Sequence, residues 1–140
     1  MDKTANVRGI RNNNPLNIRK GNNWKGEKQP QTDAAFEQFE SMQYGVRAGF
    51  KILKNYMTGF NGLAQKANTI EKIVTRWAPP SENDTASYIS TIEKLTGIPS
   101  RQQISFSQRS FMVAIVDAMI RVECGQSIEK SIIESAYDMV

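Results

Sequence analysis

The sequence predicts a single, mainly helical domain with a small irregular or β-like lobe at its N-terminus. The chain has 140 residues, 39% hydrophobic and 23% charged, which suits one globular domain with one core. From about residue 42 onward, apolar residues recur at helical spacing. Residues 1–39 are instead rich in Asn, Gly, Pro and Gln, with only scattered apolar positions, which is typical of loops and short hairpins.

The N-terminal segment is expected to form loops, with a small hairpin around "NIR" and "AFEQF". Its most unusual stretch is "RNNNPLNIRKGNNWKG", which gathers asparagines around one proline and one tryptophan. Asparagine tolerates left-handed backbone angles and bonds its own main chain, which favours a simple loop. The same amides, with Trp24, also suit a binding surface, and the residues alone leave both interpretations open.

Helices are predicted after this segment, each preceded by a residue that can cap its first turn. The predicted helices cover residues 42–58, 70–77, 85–96, 108–123 and 128–139. Their N-cap candidates, in the same order, are Ser41, Thr69, Asp84, Ser107 and Ser127.

The ends of these helices carry stop signals. Gly59 and Gly62 follow the first helix, whose apolar face continues to Phe60. The second helix stops at "APP", because a residue before proline is steered away from helical angles. Gly97 and Gly125 close the third and fourth helices. No repeat or linker interrupts the pattern, so residues 1–140 are expected to form one domain.

Composition excludes several kinds of site. The chain contains no histidine and a single cysteine, Cys124, which excludes Ser-His and Cys-His dyads and an internal disulfide framework. We expect no metal and no cofactor. Acid–base chemistry would therefore depend on carboxylates.

Charge and hydropathy limit the partners. No apolar run approaches the roughly 20 residues that span a bilayer, so no membrane span is expected. The first residues also lack the apolar core of a secretory signal peptide. The net charge of +4 suits an anionic polymer, either nucleic acid or cell-wall glycan. Since the Lys and Arg residues form no recognised basic motif, we do not expect a nucleic-acid partner.

Glu123 is the carboxylate best placed for chemistry. It follows the apolar stripe that includes Met119 and Val122 and lies at the end of the fourth predicted helix. Partial burial and the helix dipole both favour the protonated carboxyl there, which is what a general acid requires. The alternative is a solvated carboxylate beside Arg121.

The segment "RWAPPSENDTASY" is the second candidate for a binding site. A rigid turn at its two prolines would place four side chains along a groove: Trp77, Glu82, Asn83 and Tyr88. Aromatic rings can cover the apolar faces of sugars, while amides and carboxylates bind the hydroxyl groups. The alternatives are core packing for Trp77 and simple N-capping for Asp84.

Taken in order, these motifs resemble a family of small phage virion and prophage proteins with a lysozyme-like fold. The family pattern is about RNNNPGNIR, W-x-G, F-x-x-F-x-S-x-x-x-G-x-R-A, WAPPxENDTxxY and a final IRxENG. The matching segments are "RNNNPLNIR", "FEQFESMQYGVRA", "WAPPSENDTASY" and "IRVECG". Leu16 replaces a glycine of the pattern, and Cys124 replaces an asparagine. The resemblance covers nearly the whole chain and implies an α+β lysozyme-like domain over residues 1–140.

A weaker similarity, to bacterial glucosaminidases and lytic transglycosylases, implies a mechanism. In those enzymes, a segment like "NPLNIRKGNNWKG" follows an apolar helix that ends in the catalytic glutamate. Here the helix that looks like it, "AIVDAMIRVECGQS", lies at the far end of the sequence. The similarity therefore implies a circularly permuted domain with Glu123 in the catalytic place. Asn14, Asn17 and Trp24 would then form a wall of the sugar cleft.

These similarities imply cleavage of the glycan strands of peptidoglycan. One well-placed glutamate without a clear acidic partner favours a lytic transglycosylase over a hydrolase, which usually needs two carboxylates. If the reaction does use a second carboxylate, Glu82 and Glu40 are the candidates for it. The alternative is a non-catalytic phage structural or wall-binding protein, which Cys124 beside Glu123 favours. Either protein would be made in the host cytoplasm without a signal peptide and would act at the cell wall or periplasm. As a virion component, it would also contact other virion proteins.

Overall fold

The computed structural model describes residues 7–59 and 66–140, and this part of the chain is mainly helical, as predicted. The helices are α1 (Arg8–Arg11), α2 (Met42–Thr58), α3 (Ile70–Trp77), α4 (Thr85–Thr96), α5 (Arg109–Cys124) and α6 (Lys130–Asp138). Two isolated antiparallel bridges, between Arg19 and Phe36 and between Glu27 and Phe39, lie in the N-terminal segment where a hairpin was predicted. None of the described helices is long and apolar enough to cross a membrane.

Local capping chemistry sets the beginnings of three helices. Ser41, Thr69 and Asp84 each accept a hydrogen bond from the backbone N–H three residues further on, and α2, α3 and α4 begin directly after them. These bonds satisfy amides that would otherwise lack a partner in the first helical turn. The three N-cap predictions are therefore confirmed.

The other two N-cap predictions are wrong. Helix α5 begins after Gln108 and α6 after Glu129, and neither helix has a side-chain cap. The hydroxyl of Ser107 lies 2.9 Å from that of Ser105 and pairs with it inside the preceding turn, so it does not cap α5. Helix α1 was not predicted because four residues carry no periodic pattern.

Glycines end three helices as predicted. Gly59, Gly97 and Gly125 have φ angles of 77°, 72° and 69° and close α2, α4 and α5 in the left-handed conformation. The predictions for Phe60 and Gly62 lie outside the described residues.

Helix α5 is the centre of the core, since it is buried along most of its length. It packs against α1, α4 and α6, while α2 lies along α6. The buried side chains of α5 are Met112, Val113, Ile115, Val116, Ala118, Met119, Ile120 and Cys124. Between α2 and α6, the ring of Phe50 meets that of Tyr137 edge-on, with their centroids 5.4 Å apart. The Cys124 thiol donates to the Pro15 carbonyl, so the end of α5 lies beside the N-terminal lobe, which comprises residues 7–40.

A close approach at Gly45 seats the N-terminal lobe on α2. A Cβ atom at this position would overlap the backbone carbonyl of Asn13, so only glycine allows the contact. Asn13 and Asn17 have φ angles of 52° and 54°, in the left-handed region that asparagine tolerates better than most residues. Buried Asn14 accepts the N–H of Ile18 and donates to two backbone carbonyls. The asparagine run therefore shapes the backbone of the turn.

Asp33 fixes the lobe from its other side. Its side chain is only 7% exposed and accepts hydrogen bonds from the Arg8 guanidinium, the Asn12 amide and the backbone N–H groups of Ala35 and Phe36. These donors, Arg8 foremost, hold the pKa of Asp33 well below its ordinary value of 3.8. The folded lobe therefore depends on an ionised carboxylate.

Asp33→Asn should destabilise the protein at neutral pH, because Arg8 loses its counter-charge. A lowered pKa in the folded state gives stability that is present above the unfolded-state pKa and is lost as the pH falls towards the folded-state value. The urea midpoints of wild type and variant should differ most at pH 7 and converge progressively below about pH 4. Exposed Glu129 supplies a control, Glu129→Gln. A difference that stays constant with pH would contradict the role of the Asp33 charge.

Leu16 and Gly49 should be energetically coupled, because a Cβ atom at Gly49 would overlap the Leu16 side chain. Gly49→Ala alone should cost about 1–3 kcal/mol through overpacking. Leu16→Ala alone should cost about 2–5 kcal/mol through the cavity it leaves. In the double variant, the new methyl group enters the space left by Leu16. The loss of unfolding free energy in the double variant, measured in urea, should therefore be smaller than the sum of the two single losses. Strict additivity would show that the two residues do not share this space.

Candidate active site

An open groove separates the N-terminal lobe from the helical part of the molecule. Its cavity volume is about 480 Å³. The lobe contributes Leu16, Asn17, Ile18, Arg19, Asn22, Trp24 and Phe36. The helical part contributes Ile52 and Tyr56 from α2, Trp77 from α3, the turn residues Ala78, Pro79, Glu82 and Asn83, and Glu123 from α5. The groove therefore combines aromatic rings with amides and both signs of charge.

Glu123 is held in place by two donors from distant parts of the chain. Its side chain is half-buried at the last turn of α5. The Asn17 amide donates to Oε1 at 3.1 Å, and the Tyr88 hydroxyl donates to Oε2 at 3.0 Å. The carboxylate thus has a fixed orientation at the edge of the groove.

Two predicted ligand contacts, Asn14 and Tyr88, prove to be buried. Asn14 is 0% exposed, and its amide is used by the turn that carries Asn17. Tyr88 is 8% exposed, and its ring lies in the core with only the hydroxyl reaching Glu123. Burial, followed by the nearby Glu123, raises the pKa of Tyr88, so its hydroxyl keeps its proton and remains a donor. Neither residue lines the groove, and each holds a residue that does: Asn14 bonds Ile18, and Tyr88 bonds Glu123.

The other candidates, apart from Glu40, do line the groove. Trp24 and Trp77 are half-buried, whereas Glu82 and Asn83 are exposed. The Asn83 amide also donates to the Pro79 carbonyl at 3.1 Å and so stiffens the turn. Glu40, the other carboxylate considered as a partner for Glu123, is exposed but does not line the groove. Glu82 is therefore the carboxylate that shares the groove with Glu123.

Cys124 points away from the groove. Its Sγ donates to the Pro15 carbonyl at 3.1 Å, and the side chain is buried. Burial, with a smaller effect of Glu123, raises the pKa of the Cys124 thiol to about 11. Since the thiolate is the reactive form, this cysteine is not a nucleophile at neutral pH. It ties the end of α5 to the asparagine turn.

Sequence reasoning missed several lining residues. Ile52 and Tyr56 lie one turn apart on α2 and are not among the fully buried residues of that helix. Their i,i+4 spacing is a detectable signal of a second apolar face. Arg19, Asn22 and Phe36 lie in the loop-rich lobe, where no periodic pattern shows which way a side chain points.

The described ranges, 7–59 and 66–140, contain no group of three His, Cys, Asp or Glu side chains that could hold a metal ion. The charged groups lining the groove in this part of the chain are two carboxylates, Glu82 and Glu123, and one guanidinium, Arg19. This set suits proton transfer and polar binding.

The chain is similar to a known phage protein. Protein P5 of Pseudoalteromonas phage PM2 is 41% identical to this chain over 125 residues. The match spans 86% of the chain and 73% of the phage protein. No family model matches the chain.

Proposed function

We propose that this chain, which belongs to the family of Protein P5 of Pseudoalteromonas phage PM2, is a phage or prophage protein that cleaves the glycan strands of peptidoglycan. The observation that carries this proposal is the carboxylate of Glu123, held by Asn17 and Tyr88 at the edge of an open groove. The proposed fold is lysozyme-like and circularly permuted, with the helix of the catalytic glutamate last. The proposed place of action is the cell wall, as a virion component or after release into the host.

Glu123 has the contacts that an acid and then a base would need. Asn17 can donate to Oε1 in both protonation states, because a protonated carboxyl keeps one oxygen as an acceptor. Oε2 is then the oxygen that exchanges the proton. Tyr88 can donate to Oε2 in both protonation states, because the oxygen of a protonated carboxyl keeps a lone pair, and the Oε2 proton is then available to the substrate.

The proposed reaction is that of a lytic transglycosylase. Glu123 gives its proton to the glycosidic oxygen as the bond from that oxygen to the muramic acid C1 breaks. A hydroxyl of the same sugar then attacks C1, and Glu123 takes up the proton that this hydroxyl releases. The products are an anhydro-muramic end and a new hydroxyl end, and no water is consumed. One carboxylate serves both steps, which fits a groove where Glu82 is exposed and Glu123 alone is held by two donors.

The walls of the groove suit a glycan. Trp24 and Trp77 offer half-buried ring faces, and Tyr56 adds a third aromatic side chain. Aromatic rings cover the apolar faces of sugars, and nearby amides such as Asn22 bind hydroxyl and N-acetyl groups. The groove is open, as a site for a long polymer must be.

The second candidate function is a wall-binding virion protein without turnover. The two hydrogen bonds donated to Glu123 favour it, because they fix the orientation of a side chain whose oxygens could accept hydrogen bonds from sugar hydroxyl groups without turnover. Mass analysis of purified peptidoglycan after incubation separates the candidates. Anhydro-muramic ends identify a transglycosylase, reducing ends a hydrolase, and unchanged glycan a binder.

Glu123→Gln should abolish cleavage and leave glycan binding largely intact. Glutamine keeps the shape and can still accept from Asn17, but it carries no proton to transfer. Losing one acid–base group usually lowers the rate by about 10²–10⁴-fold. Release of anhydro-muramic products measures the effect, and Glu129→Gln, an exposed carboxylate outside the groove, is the matched control. Cleavage near the wild-type rate would transfer the assignment to Glu82, which Glu82→Gln would test.

Trp77→Ala should weaken glycan binding more than it weakens folding, because part of the ring faces the groove while the rest contacts the core. Isothermal titration with soluble glycan fragments measures binding, and urea unfolding measures stability. Phe111→Ala is the control, since Phe111 is also a half-buried aromatic but lies outside the groove. Equal loss of binding in both variants would mean that Trp77 acts only through stability.

A further inference from the structure

Arg19 is an anchored cation on the lobe wall of the groove. Its backbone pairs with Phe36 in an antiparallel bridge, and its guanidinium carbon lies 4.8 Å from the centroid of the Phe36 ring. Stacking on an aromatic face limits the orientations of a guanidinium while leaving its N–H donors available. The side chain is therefore held beside the groove although the residue is exposed.

The charge of Arg19 has no counter-charge among residues 7–59 and 66–140. Arg8 also lies over the Phe36 ring, at 4.5 Å, but its guanidinium is paired with Asp33. The ion pairs within the described ranges involve Arg8, Arg101, Arg109 and Arg121, and none includes Arg19. The Phe36 ring thus contacts two guanidinium groups. Only that of Arg8 is bound to a carboxylate, whereas that of Arg19, in the groove, is not, among the described residues.

Arg19 gives the lobe wall of the groove a positive charge. Glu82 and Glu123 are the other charged residues of its lining, and both are acidic. A neutral glycan would give the Arg19 charge nothing to pair with. A guanidinium binds a carboxylate through two parallel hydrogen bonds, and this geometry is the one it recognises best.

We propose that Arg19 binds a carboxylate on the side arm of the muramic acid residue, so that the groove selects acidic glycans over neutral ones. This inference rests on the proposed function, since it assigns the substrate class to the same groove. The carboxylate has two sources: the peptide attached to the lactyl group, or the lactyl group itself where the peptide has been removed. Arg19 is a binding residue in this account, whereas Glu123 does the chemistry.

The test compares acidic fragments with neutralised ones. Soluble peptidoglycan fragments, with and without their peptides, are used as isolated or with the carboxyl groups converted to amides. Binding is measured in the Glu123→Gln background, which prevents turnover. At least one acidic form should bind about tenfold more tightly than its amide, as expected for one charge-assisted contact. The form that shows the preference identifies the source of the carboxylate.

Variants assign the preference to a residue. Arg19→Gln should bind acidic and amidated fragments alike, at the level of the amide. Arg19→Lys keeps the charge but not the paired donors, so it should retain part of the preference. Arg101→Gln, which removes the same charge from an exposed site outside the groove, should behave like the parent. Should Arg19→Gln fail to fold, the NMR signal of the Arg19 Nε–H group in the parent decides, because it should shift with the acidic fragment and not with its amide.

The outcomes separate this inference from the proposed function. Equal binding of acidic and amidated fragments by the parent, or a preference that survives in Arg19→Gln, would overturn the inference and leave the proposed function standing. A wild-type protein that neither binds any fragment nor releases products from peptidoglycan would overturn both.

Discussion

The turn formed by residues 12–17 is the constraint on which the groove depends, because it is held from two sides. Gly45 of α2 allows the Asn13 carbonyl to approach the helix, and the Cys124 thiol bonds the Pro15 carbonyl from the end of α5. Between these contacts the backbone turns back through Asn17, whose amide reaches Glu123. Any shift of this turn on α2 or α5 would move the lobe wall and the donor to Glu123 together.

Most of the helical fold could be predicted because its signals are local. A side-chain cap three residues from an amide, a left-handed glycine and a 3.6-residue apolar period all depend on neighbours in sequence. The N-cap predictions for Ser107 and Ser127 failed, because neither α5 nor α6 has a side-chain cap. The Ser107 hydroxyl pairs with that of Ser105 instead. In the lobe, tertiary hydrogen bonds to Asp33 decide the backbone, and no short pattern encodes them.

The residue types of the candidate site could be predicted from the sequence, but the side of the molecule that each side chain faces could be predicted only in part. Glu123 and Trp77 lie at helix ends, where the apolar stripe itself indicates the boundary between core and surface. Tyr88 occupies a similar boundary position, yet its ring enters the core and only its hydroxyl emerges, beside Glu123. Whether an amphipathic ring faces a ligand or supports a neighbour depends on the partner across the interface, which lies 35 residues away in sequence.

The two positions at which the sequence departs from the pattern it resembles both lie at the asparagine turn. Leu16 fills the space over Gly49, where a Cβ atom would overlap it, and Cys124 meets the next residue along the turn, Pro15. Both side chains are buried, and the raised thiol pKa keeps Cys124 protonated beside Glu123. These two side chains therefore determine how the asparagine turn is attached to α2 and α5. Asn17, in the same turn, still donates to Glu123. Cys124 consequently weighs less in favour of a non-catalytic protein than its place in the sequence implies.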